Sequence, residues 1–463
     1  MRSVLRILHP IGQGSFYSEH FCVGAEQNGR MNVVYDCGSI KGSKCLKAAI
    51  YNTFRDGEEI EAVFISHLHS DHMNGIPDLI NRCSVKRIFF PLITEQNKIL
   101  AKIRLIAEGV DSEFCFRFID SPEKAIKVEL GDKARDIKLI GVFPYENKET
   151  DVFESDLIPS LGKEIEGVCD ATIQSGMRIT SKMIGLRYPE WIYVPYNFEF
   201  NSKNNILIRT LKRVGITEKK LTKLGENPEE YGREIALIKE LYKEVGNDFN
   251  SHSMTLYSGR ITGALGNSFS YRLSDYEYLS ECGTCPSVDK IWFTKSLCTP
   301  FNPWVPNTNK RCQPPIAEGK YGGRSGCLYT GDYNMSEEKT VDELCEQYSL
   351  YWNTLLAMQV PHHGSKLSYN RKLVKEGVIY FISAARKNNF NHPSFQVVNN
   401  ISLMGGHPII VTEDFESNVC FETMFPDCFF VKENQNRKET EDNQIGVIII
   451  QTPPSIEYRY GQS

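Results

Sequence analysis

Short apolar runs separated by Gly-rich turns dominate the first stretch of the chain. Val4–Leu8, His20–Val23, Asn32–Tyr35, Ala62–Ile65 and Arg87–Phe90 are predicted to be strands, with a helix from about Lys44 to Arg55 between them. "VKRIFFP" follows "NGIPDLINRC" directly, and strand, loop, short helix, strand is the rhythm of an α/β layer. From Glu146 to Asn247 the texture changes. Helical spacing appears in "NNILIRTLKRVG" and in "PEEYGREIALIKELYKEVG", through Ile235, Ile238, Leu241, Tyr242 and Val245. Pro228 stands near the start of the second helix, where it is tolerated. Strand character returns at "HSMTLYSG", Cys327–Thr330, Val378–Ile382, Pro408–Val411 and "QIGVIIIQT". The pattern therefore predicts one layered domain over 1–145 and 248–463, interrupted by a cap-like, partly helical insertion at 146–247. Phe301–Gly323, rich in Pro, Asn and Gly, reads as a long surface excursion.

Composition narrows the class only modestly. The 463 residues are 41% apolar and 24% charged, enough for a substantial core in an ordinary water-facing protein. Apolar runs such as Val447–Ile450 are too short to span a bilayer, so no membrane association is expected. The N-terminal stretch lacks the long apolar core of a secretory signal, and a cytoplasmic location is expected. A net charge of −5 excludes a generally basic coat. Locally, Lys203–Lys223 holds seven basic residues against Glu218, which is either a solvated helix face or a surface that meets a polyanion. Fourteen scattered cysteines suggest reduced thiols. Cys282, Cys285, Cys298 and Cys312 stand apart, either as four thiolates for a structural zinc or as isolated thiols.

The chemistry concentrates in "FISHLHSDHMNG", Phe64–Gly75. His67, His69, Asp71 and His72 follow the apolar run Ala62–Ile65, and two imidazoles two residues apart point to one side of an extended segment. That donor set suits a borderline divalent ion such as zinc, manganese or iron. Six residues cannot complete the shell of two ions, so later loops must contribute. "LYTGDYN" offers Asp332, "MQVPHHGSK" offers His362 and His363, "FNHPSF" offers His392 and "FNSHSMTLYSG" offers His252, each beside a predicted strand. Seven of the ten histidines thus fall at strand edges beside Gly, Ser or Asp, a placement that points to metal binding.

These motifs carry a resemblance. "HLHSDH" matches the HxHxDH signature of the metallo-β-lactamase-fold hydrolases, with the later Asp and His in that family's order. Within it, "IGQGSF", "VVYDCGS", "TGDYN" and "VPHHGS" resemble the hydrolase domain of ComEC-type DNA-uptake proteins and their soluble relatives, over about residues 1–90 and 250–450. Ser15 and His69 depart from that group, each standing where an Asp is usual.

The resemblance implies an αββα sandwich, two mixed β-sheets flanked by helices, with a two-metal site along one edge. It implies that His67, His69 and His252 hold one zinc or manganese ion and that Asp71, His72 and His363 hold the other. Asp332 would bridge them, with His392 as the alternative to His363. Asp36 would orient a ligand histidine by a hydrogen bond. Asp71 would then orient the attacking water, and His362 or His392 would protonate the leaving oxygen. Arg386, Lys387 and Asn389, in "AARKNNFNHPS", form either a phosphate clamp or a plain polar turn.

Two enzymatic readings follow, with one from another class. The first is a metal-dependent phosphodiesterase, a nuclease acting on DNA or RNA, in which "RYPEWIYVPYNFEF" either stacks bases or packs a core. The second is a hydrolase of a small phosphoester, lactone or thioester in a capped pocket. A binding module with a degenerate site is disfavoured, because every expected ligand type is present. The insertion also offers a surface for a partner protein.

Overall fold

Runs of β-branched and aromatic residues pair into strands that extend a little beyond their apolar cores. In the computed structural model the described residues are 2–23, 31–40, 43–108, 112–145, 170–180, 191–199, 252–260, 270–273, 324–414 and 417–425, together with most of 211–245. The strands are β1 (Arg2–Leu8), β2 (Gly14–Val23), β3 (Met31–Ser39), β4 (Glu59–Ile60), β5 (Ala62–Phe64), β6 (Ser84–Val85), β7 (Arg87–Pro91), β8 (Lys138–Val142) and β9 (Ala171–Ile173). They continue as β10 (Ile179–Thr180), β11 (Trp191–Glu199), β12 (His252–Arg260), β13 (Ser270–Leu273), β14 (Gly326–Tyr329), β15 (Leu355–Gln359), β16 (Ile379–Ser383), β17 (His407–Val411) and β18 (Val419–Phe425). The main helices are α1 (Ser43–Thr53), α2 (Ser70–Met73), α3 (Ile76–Arg82), α4 (Glu95–Glu108), α5 (Glu113–Asp120), α6 (Pro122–Leu130), α7 (Gly232–Val245), α8 (Glu338–Gln347), α9 (Ser349–Trp352) and α10 (Phe395–Leu403).

Two mixed sheets result. The first runs β13-β18-β1-β2-β3-β5-β7-β8-β9 and the second β10-β11-β12-β14-β15-β16-β17. Each is antiparallel on one side and parallel on the other, with the change at β3–β5 in the first and at β14–β15 in the second. Three apolar clusters bind the layers. Phe21, Tyr35, Phe64, Trp191, Leu256, Tyr329 and Phe381 fill the space between the sheets. Ile50, Leu79, Phe90, Ile103, Phe118 and Ile238 join the first sheet to its helices. Val341, Leu344, Tyr348, Tyr380, Val397 and Ile401 do the same for the second. The architecture is an αββα sandwich with mixed sheets, as expected.

The expected cap at 146–247 is described only in part. Its described portion adds β9 to the first sheet, paired parallel with β8, and adds β10 and β11 to the second, paired onto β12. Trp191, Ile192, Tyr193 and Val194 are buried, so this aromatic stretch packs the core instead of offering rings to bases. The physical reason is that a strand covered on both faces is apolar at successive positions and loses the alternation by which strands are recognised. α7 does form over the expected helix and packs on α4 in the outer layer. Lys203, Arg209, Lys212 and Lys219 of the basic stretch lie outside the described residues, and Lys220 pairs with Glu234 at 2.8 Å. Cys282, Cys285, Cys298, Cys312, the Phe301–Gly323 tract and "QIGVIIIQT" also lie outside them. Among the described residues no helix is long and apolar enough to cross a membrane.

Candidate metal centre

The site begins with an irregularity in β3. Tyr17 pairs with Tyr35 and Phe16 with Cys37, so Asp36 is an unpaired bulge residue, and its φ is +54°. The bulge turns the buried Asp36 carboxylate toward the C-terminal end of β5. There Oδ1 accepts the Ser66 amide N–H at 2.6 Å, and Oδ2 accepts the Ser66 hydroxyl at 2.7 Å and His72 Nδ1–H at 2.8 Å. The Ser66 hydroxyl spends its one proton on Asp36, so its oxygen accepts from His67 Nδ1–H at 2.8 Å. One carboxylate thus fixes the tautomers of two histidines, leaving both Nε2 lone pairs pointing inward. Gly38 serves the same loop, because a Cβ there would lie 2.5 Å from the Asp71 carbonyl carbon and the His72 nitrogen.

The second sheet closes the site from across the sandwich. The turn after β14 is clamped by Gln359, whose Oε1 accepts the Thr330 and Gly331 N–H groups, both at 3.0 Å, while its carbonyl accepts the Thr330 hydroxyl. Gly331 has φ +54°, and a Cβ on it would lie 2.8 Å from that of Ser66. Only glycine brings the Asp332 turn so close to the first loop. After β15, His362 and His363 adopt φ values of +48° and +54°. His363 Nδ1–H donates to the Ser383 carbonyl at 3.0 Å, and its Nε2 lies 3.1 Å from Asp71 Oδ2.

Three buried donor groups follow, each with its ligand atoms within 4.8 Å of one another: His67, His69 and Asp71; His67, His72 and Asp332; Asp71, His72 and His363. The Nε2 atoms of His67 and His72 each face an Asp332 oxygen at 3.4 Å and, among the described residues, have no hydrogen-bond partner. Buried orphan nitrogens amid carboxylates and imidazoles are what a cation would satisfy, so these residues fit a divalent metal. The electrostatics agree. Burial alone would lower the His72 pKa, but Asp71, Asp332 and Asp36 outweigh it and hold the value well above the usual histidine range. Burial opposes the ionised form of Asp332 too, yet His362, His67 and His72 keep it well below the ordinary carboxylate range. The carboxylates thus favour positive charge at His72 Nε2, a proton or, in its place, a cation.

The other predicted residues are placed as follows. His362 is half-buried at the mouth, its Nδ1 2.9 Å from Ser368 Oγ and its Nε2 3.9 Å from Asp332. His392 stands beside it with ring centroids 5.6 Å apart, outside the three donor groups. Burial lowers the pKa of His362 to about 4, and burial with His362 and His363 lowers that of His392 to about 3. The backbone of His252 opens β12 opposite Glu199, and its side chain lies outside the described residues. Arg386, Lys387 and Asn389 are exposed, and the Arg386 guanidinium bonds Asp414 at 2.7 Å.

Sequence reasoning missed four contributors. Ser66 relays Asp36 to His67, Gln359 clamps the Asp332 turn, and Gln13 donates toward His392 Nδ1 at 3.4 Å. The fourth is Arg104 on α4, whose Nη1 lies 3.3 Å from His69 Nε2. A guanidinium only donates, so that nitrogen accepts. An ion on His69 must compete for that lone pair or, by taking Nδ1, force the proton onto Nε2; either way the Arg104 contact is released. A cavity of about 290 Å³ lies beside Leu68, Phe90, Leu92, Ile93 and Phe118. None of the candidate ligands lines it.

Comparison with known proteins places this geometry. Residues 26–102, which span Asp36 and the whole HxHxDH loop, match the family model of the metallo-beta-lactamase superfamily. Members of that superfamily are mostly metal-dependent hydrolases, and the αββα sandwich with its His/Asp groupings is consistent with them. No curated protein matches the chain.

Proposed function

We propose that this chain is a two-metal phosphodiesterase, a nuclease acting on DNA or RNA. The observation that carries the reading is the buried cluster of His67, His69, Asp71, His72, Asp332 and His363, with two inward Nε2 atoms facing one carboxylate. Its mixed imidazole and carboxylate donors suit zinc or manganese. His67, His69 and His252 would hold one ion and Asp71, His72 and His363 the other, with Asp332 between. When bound, such a pair acidifies water and stabilises charge on phosphoryl oxygens.

The chain's own residues supply the rest. Asp36, through Ser66 and His72, keeps the donor lone pairs aimed inward. Asp71, held ionised by His72 and His363 against the cost of burial, orients the attacking water by accepting its proton in a hydrogen bond. His362 and His392 flank the mouth as neutral imidazoles and donate N–H bonds to a phosphate oxygen. An arriving anion raises their proton affinity, which suits one of them to protonate the leaving oxygen. Arg104, beside His69, would supply a cation for a non-bridging oxygen. Lys387 and Asn389 extend the anion contact outward.

Nucleic acid is favoured over a small ester on two grounds. HxHxDH, TGD and HHGS in that order resemble ComEC-type proteins, and the described part of 146–247 adds strands to both sheets and a helix to the outer layer. The test is degradation of end-labelled single- and double-stranded DNA and RNA with manganese or zinc. Cleavage that falls more than about 100-fold in Asp332→Ala supports the reading, since a ligand should matter more than the residues behind it. Intact polymer after incubation with protein carrying two ions would sink it and move the assignment to a small ester.

A further inference from the structure

Three rings form a ladder from solvent to the donor cluster. His363 stacks on His392 with centroids 6.4 Å apart and planes at 29°, and His392 stacks on Phe390 at 5.7 Å and 27°. The inner end faces Asp71, while the outer ring, Phe390, is 52% exposed. An exposed phenylalanine costs solubility and is more often found singly and without consequence. Here it has company. Leu367, on the His362 loop, and Phe395, which opens α10 just after the His392 loop, are also exposed, and the two loops are joined by the Ser394 N–H bond to the Gly364 carbonyl.

The platform is held still. Asn388 donates to the carbonyls of Ala385 and His392 and accepts from the amides of Phe390 and His392, at 2.6 to 3.1 Å. Gln13, in the turn before β2, braces the His392 ring. Exposed Lys366 and Lys387 lie on the same two loops as His362 and His392. A rigid aromatic face whose loops carry exposed lysines, beside a site for phosphoryl chemistry, is the combination that binds unpaired nucleic acid by stacking bases while tracking the backbone.

We propose that Phe390, seated on His392, is the stacking platform for a nucleobase next to the scissile phosphate, and that single strands are therefore the preferred substrate. In a duplex each base is already stacked between its neighbours and has no free face to offer. This inference rests on the nuclease reading and adds the substrate form and the residue that selects it.

The test uses the full-length chain with Asp332→Asn, which prevents cleavage, and fluorescence anisotropy with a labelled single-stranded DNA. A matching oligonucleotide of abasic residues and the corresponding duplex complete the set. Adding Phe390→Ala is expected to weaken single-strand binding roughly 5- to 140-fold. Phe390→Trp should restore it, and the abasic strand should bind equally to all three proteins. Equal binding of the intact strand with and without Phe390, no measurable binding at all, or the same loss on the abasic strand overturns the proposal. The cleavage assay on the unsubstituted chain separates the two ideas. Cleavage indifferent to Phe390 leaves a nuclease without this platform, and base-dependent binding without cleavage leaves the platform and removes the nuclease.

Discussion

The two sheets each deliver half of the candidate centre from the C-terminal ends of parallel strands, but they hold it by different means. In the first half a single buried charge does the organising: Asp36 fixes Ser66, His72 and, through Ser66, His67. In the second half the partners are neutral. The Gln359 amide, the Ser368 hydroxyl and the Ser383 carbonyl place Asp332, His362 and His363, with left-handed backbone at both histidines. Such conformations cost of order 1–3 kcal/mol each and persist only where the surroundings over-determine them. One half is therefore tuned by charge and the other by shape. Metal affinity should respond most to the first and folding stability to the second.

Changes that spare the fold but remove charge test this contrast most strongly. Asp36→Asn keeps the shape and one acceptor, and it should lower metal affinity about 10–100-fold, as read by competition with a chelator. An affinity within twofold of the parent would show that Asp36 is scaffolding only. Next comes Gln359→Leu, which leaves the buried Thr330 and Gly331 amides without their acceptor. It should cost about 2–4 kcal/mol of unfolding free energy in the metal-free protein, measured by denaturant titration. A loss below 0.5 kcal/mol would mean that the turn is held elsewhere.

A pH dependence in the frame of the first half sharpens the contrast further. His9, enclosed beside Ser18 and stacked on Phe16, has its pKa lowered by burial to about 3. The folded state therefore holds it neutral. Its contribution is fully present above the unfolded value near 6.5 and is lost as pH falls below it, at about 1.4 kcal/mol per unit until the folded pKa is reached. His9→Gln should flatten the fall in metal-free stability between pH 6 and 4. An unchanged slope would assign the acid sensitivity to other groups.

How much of this could be read in advance depended on distance along the chain. The HxHxDH loop was legible because four donors fall within six residues after an apolar strand, and the same compactness lets a family model find it within 26–102. Asp332, His362 and His363 were legible through the glycines and histidines around them. Arg104, Gln13 and Gln359 were not, since each acts on a partner at least 28 residues away and has no local pattern to mark it. The helices from Glu95 to Leu130 also went unread, because their charged outer faces resemble loop sequence until the buried stripe of Leu100, Ile103, Phe118 and Ile126 is seen to meet one sheet. The core-packing alternative for this aromatic stretch holds, but β11 itself was not read as a strand, for the opposite reason, being apolar on both faces.

The bulge at Asp36 has a further consequence for how this sequence can change. Removing that one residue would let β2 and β3 pair without interruption, and an uninterrupted ladder is the more stable sheet. The gain in pairing would come with the loss of the carboxylate that aims His72. Selection for stability alone would therefore work against this single unpaired position.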